Sequence, residues 1–71
     1  MSSIVKVIEI IAQSPKGFDD AAQLAVREVA KTVKNVKSIW IENLSGKVEG
    51  NKITVYRVNA KVSFVVEGHE P

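Results

Sequence analysis

Seventy-one residues make one small domain, and its 45% hydrophobic and 25% charged content belongs to a globular chain, not a disordered one. The chain has no cysteine and a single histidine, His69, which excludes disulfides, Cys/His zinc sites and thiol nucleophiles and argues against a histidine triad. Ten Lys and Arg against eight Asp and Glu give a net charge of +2, with lysines and glutamates interleaved and no basic stripe of the kind nucleic-acid binding uses.

The opening MSSIVKVIEIIA is too short for a signal peptide or membrane span and is interrupted by Lys6 and Glu9, so a soluble cytoplasmic protein with no membrane partner is expected. The β-branched run from Ile4 to Ile11 predicts a strand that is apolar on both faces. Pro15 and Gly17, in the segment Ala12–Gly17, end it. Phe18, Ala22, Ala25, Val29 and Val33 then step by three or four, with Ala21 and Val26 at the margins, which predicts a helix over about 17–34. Asp19 and Asp20 in its first turn and Lys31 and Lys34 in its last suit the helix dipole, and Asn35 supplies a stop.

From Val36 the period becomes two, predicting a strand over about 36–45. Ile39 and Ile41 lie on one face, and Val36, Ser38, Trp40, Glu42 and Leu44 on the other. A turn is expected across Ser45–Asn51, where two glycines and an asparagine gather. The last strand, about 52–66, alternates most cleanly: Tyr56, Val58, Ala60, Val62, Phe64 and Val66 on one face, Arg57, Asn59, Lys61 and Ser63 on the other. The order is β-α-β-β in one domain over 1–71, an α+β fold closing in an antiparallel hairpin. The last strand would span roughly 45–50 Å at about 3.3 Å per residue, against roughly 26 Å for the helix. One helix cannot cover such a ribbon. A chain this small also buries only about 60% of its unfolded surface, so self-association through exposed apolar strand ends is expected.

The segments KVIEIIAQSPKGFDDAAQLAVREVAKTVKNV and VYRVNAKVSFVVEG, taken together, resemble the first strand, SP-containing loop, alanine-rich helix and long last strand of the dodecins over about residues 4–67. The resemblance implies a β-α-β-β protomer with a three-stranded antiparallel sheet wrapped on one helix, twelve copies closing into a hollow homododecamer. It also implies a flavin ligand (riboflavin, FMN or FAD), bound two to a site inside the sheet wall. In flavin-binding members a tryptophan near the start of the second strand stacks on the ring, and a glutamine after the aromatic of the last strand bonds the ring's polar edge. Aligned without gaps on the Ser45-Gly46 turn and Tyr56, those positions hold Ser38 and Arg57, with Trp40 two residues beyond the first. The loop reads AQSP where those members commonly have GTSP. Another branch, with arginine at the second position, lacks the flavin site and is associated with calcium, and YRV at Tyr56–Val58 looks closer to it.

The candidate ligand-binding residues are therefore Trp40, Ser38 and Arg57. Two roles are open to Trp40: stacking on a planar ligand, or packing against a neighbouring subunit. Arg57 has a planar donor fork but no acceptor, so it suits an anionic ligand or an ion pair with a carboxylate such as Glu42 across a subunit boundary. Calcium would need six to eight oxygens, and no EF-hand spacing gathers Glu9, Asp19, Asp20, Glu42 and Glu49. No catalytic acid, base or nucleophile converges, so a non-enzymatic cage that sequesters a small ligand is expected, with a flavin-free, calcium-binding or structural assembly as the alternative.

Overall fold

The computed structural model describes residues 3–66, so His69, the lone histidine, lies outside the described residues. Four elements follow in order: β1 (Val5–Ser14), α1 (Phe18–Ala30), β2 (Val36–Glu49) and β3 (Lys52–Val65). The sheet order is β1-β3-β2, with both outer strands antiparallel to β3. The longest alternating segment is thus the central strand, hydrogen-bonded along both edges.

From Tyr56 to Phe64 the even-numbered residues of β3 face the helix, and Val58, Ala60 and Val62 are fully buried there. Ala21, Ala25 and Val29 of α1 close onto them, joined by Ala12 of β1. Ala21, assigned to the margin by periodicity, is central: an Ala-Ala-Val stack four residues apart lets the helix lie close to the sheet. Burying each large β3 valine stabilises the fold by roughly 1.5–3 kcal/mol. At the N-terminal end Phe18 meets Tyr56 edge to face, ring centroids 5.1 Å apart and planes at 82°.

The elements depart from their expected bounds for identifiable reasons. β1 continues to Ser14, because only Pro15 removes a donor and the residue before a proline favours extended backbone. α1 stops at Ala30, not near 34, leaving Lys34 outside it and Lys31 at its C-cap. Val33 keeps the helical spacing, but the amides of Thr32 and Val33 and the Thr32 hydroxyl all converge on the Val29 carbonyl. That tightens and ends the last turn. Asn35 then takes a left-handed φ of 61°, which asparagine tolerates. β2 runs through the expected turn to Glu49, and the reversal shrinks to Gly50-Asn51, both at positive φ (59° and 63°), as a two-residue hairpin turn requires.

Two bulges in β2 correct the expected faces. Val36 pairs with Phe64 and Ser38 with Ser63, so Lys37 is an extra residue. Ile41 pairs with Ala60 and Asn43 with Asn59, so Glu42 is another. Each extra residue reverses the alternation. Val36 and Leu44, expected beside Trp40, therefore align with the helix-facing Phe64 and Val58.

Candidate functional site

The sheet face turned away from α1 carries the chemistry. Across it the register aligns Glu9, Lys61 and Trp40 in one row and Val7, Ser63 and Ser38 in the next. These six residues line an open cavity of about 510 Å³. Trp40 is the wall: it sits between the two bulges of β2, and 69% of its surface is exposed. An indole so placed offers a flat apolar face with one polar N–H. Beside it the Ser38 and Ser63 hydroxyls share a hydrogen bond of 2.5 Å. The Lys61 ammonium meets Glu42 Oε2 at 3.2 Å, both side chains partly exposed. The bulge places that carboxylate within reach of a lysine that the register pairs with Trp40, not with Glu42.

Arg57 stands apart. Its Nε and Nη2 both donate to Gln13 Oε1, at 3.1 and 2.8 Å. It lines a second hollow of about 310 Å³ with Ser45, Gly46, Lys47 and Val55. Four residues along β3 separate it from Lys61, about 13 Å at strand rise. The structure thus brings Ser38, Trp40 and, through Lys61, Glu42 to one place, while within the protomer Arg57 belongs to another. Gln13 as the arginine's partner, and Glu9 and Val7 as cavity walls, were not among the sequence candidates. They depend on the β1–β3 register, for which the facing charges of Glu9 and Lys61 were the one signal. Between the two hollows, Asn59 Oδ1 is buried without a hydrogen-bond partner. Among the described residues no group of three or more histidine, cysteine or acidic side chains could hold a metal ion, and no helix is long and apolar enough to cross a membrane.

A family model described as Dodecin matches residues 4–67. The chain belongs to the dodecin family. No curated protein matches it. Among solved structures, a point mutant of the Thermus thermophilus dodecin is 23% identical and superposes with a TM-score of 0.88, covering 93% of this chain and 98% of that one. A dodecin from Streptomyces coelicolor is 25% identical, with a TM-score of 0.85 and coverage of 92% and 93%. The calcium dodecin of Mycobacterium tuberculosis, described as a calcium chelating immunodominant antigen with a novel calcium-binding site, is 29% identical, with a TM-score of 0.78 and coverage of 97% and 99%. The β-α-β-β order, single helix and three-stranded antiparallel sheet expected from the resemblance are those of the family fold.

Proposed function

We propose that this dodecin is a non-enzymatic, homo-oligomeric cage, twelve-membered by family precedent, that sequesters a planar aromatic ligand on the open face of its sheet. The observation that carries this reading is Trp40, two-thirds exposed on the wall of a cavity whose floor offers two serine hydroxyls. Bare within one protomer and beside a hollow, the indole has a face free to stack on a planar ligand. Flavins are the family's precedent, and these residues suit half of what a flavin needs. Trp40 supplies a stacking surface, and the Ser38 and Ser63 hydroxyls can donate to or accept from a ring edge. Arg57 supplies no acceptor, and its Nε–Nη2 edge is taken by Gln13. Riboflavin therefore fits the pocket better than FMN or FAD, whose phosphates find no uncommitted cation bordering the cavity.

Trp40 is the only tryptophan, so its emission reports the site directly. Titration with riboflavin at micromolar protein is expected to quench Trp40 and to lose the flavin's own fluorescence in step. Unchanged emission from both partners would exclude flavin. The same experiment carries a second arm. The likeness to the calcium dodecin supports an ion-binding reading, with ligands gathered from several subunits because one chain holds no carboxylate cluster among its described residues. On that reading calcium raises the melting temperature and a chelator lowers it, since a ligand selective for the native state must stabilise it. Equal melting temperatures reject it.

A further inference from the structure

Resting on the planar-ligand reading, the charge around Trp40 identifies which planar ligands the site prefers. Lys61 is the one cation lining the cavity and stands between two carboxylates: Glu9 faces it across the β1–β3 ladder, and Glu42 holds its ammonium at 3.2 Å. Whichever carboxylate the ammonium contacts, two negative groups share one positive group, so the cluster carries a net charge of −1. Glu9 is the member left without an ion pair among the described residues. Of the other cations along this face, Lys47 is paired with Glu49 at 3.4 Å, while Arg57, bonded to the neutral Gln13, keeps its charge about 13 Å along β3 from Lys61. Trp40 lines the same hollow, and the negative face of an indole attracts cations. We infer that the Trp40 cavity is selective for planar heteroaromatic cations, admits neutral ring systems more weakly and disfavours phosphorylated ones.

The whole chain opposes this preference with its net charge of +2. Tight cation binding would therefore have to come from the local arrangement, not from the field of the protein.

Three tricyclic ligands of similar ring size separate charge from shape: proflavine (cationic), riboflavin (neutral) and FMN (anionic). The anisotropy of each ligand's own fluorescence, measured on the intact assembly at fixed ionic strength, gives the affinities. Proflavine is expected to bind about tenfold more tightly than riboflavin, with FMN weakest, a gap in keeping with one cation–π contact plus one unpaired carboxylate. Glu9→Gln should collapse the proflavine–riboflavin gap to within about twofold, by weakening proflavine far more than riboflavin. Glu42→Gln, which releases Lys61, should weaken proflavine and strengthen FMN. Both positions are exposed, so both variants are expected to assemble. Riboflavin binding as tightly as proflavine, or a gap that survives Glu9→Gln, overturns the charge preference and leaves the planar-ligand reading standing. No binding by any of the three, with Trp40 emission unmoved, overturns both.

Discussion

Ser14 is nearly fully buried (2% exposed), yet its hydroxyl is doubly engaged: it donates to Asp20 Oδ2 at 2.5 Å and accepts from the Lys16 amide at 3.0 Å. It therefore pins the end of β1 to the first turn of α1, around a loop that Pro15 has already stiffened. α1 has Gly17 at its N-cap position and no side-chain cap, so this link fixes where the helix begins without accepting from its first-turn amides. Replacing Ser14 with alanine removes a hydrogen bond to a charged group and strands a backbone donor, and should cost about 2 kcal/mol. Denaturant unfolding of Ser14→Ala checks this; an unchanged midpoint would mean that the loop is held by packing alone. The Lys61–Glu42 pair is different in kind. Partly exposed on both sides, it contributes about 1 kcal/mol or less to stability, and its importance lies in which charge it leaves over beside Trp40.

Among the elements, those with strong periodicity were legible and those ended by competition were not. Tyr56 to Phe64 alternates without interruption because β3 is central, buried on one face and polar on the other. The helix was legible from Phe18 to Val29, but Val33 continued its spacing, and only the convergence of donors on the Val29 carbonyl shows why it stops early. The β2 faces were misjudged at Val36 and Leu44 because a bulge leaves no mark on a strand's composition. At the candidate site, Ser38 and Trp40 were legible as neighbours two residues apart. Glu9 and Gln13 were not, since nothing local says that β1 pairs with β3. The hairpin offers a check on its tight reversal. Gly50 sits at a left-handed φ with open space where a Cβ would go, so Gly50→Ala carries backbone strain and no clash. A cost of about 1 kcal/mol is expected, lowering the melting temperature by about 5 °C. No shift would mean that the turn relaxes into another type.

The whole molecule is a blade, 57 by 20 by 13 Å. A helix of 13 residues reaches only about 20 Å along it, so the hairpin end of the sheet extends past its cover. Val48 and Ile53 are exposed there, and Val5, Val7 and Ile11 along the outer strand β1. Exposed apolar surface this extensive on a small chain predicts association. Sedimentation equilibrium is expected to show a particle near twelve times the 7.8 kDa protomer mass, with no free protomer at micromolar concentration. A stable monomer would contradict the cage, and the proposed ligand site would then stand on an isolated sheet.

The extra residue at Glu42 has a consequence for how this sequence can change over time. It splices two stretches of β2 out of phase, so the half bearing Trp40 and the half bearing Ser45 keep their outward side chains by separate counts. Losing that one residue would turn one stretch over relative to the other, either pressing the indole toward the helix or sending Leu44 outward. Length variation in this strand is therefore confined to even steps, and the binding wall can drift in identity far more readily than in spacing.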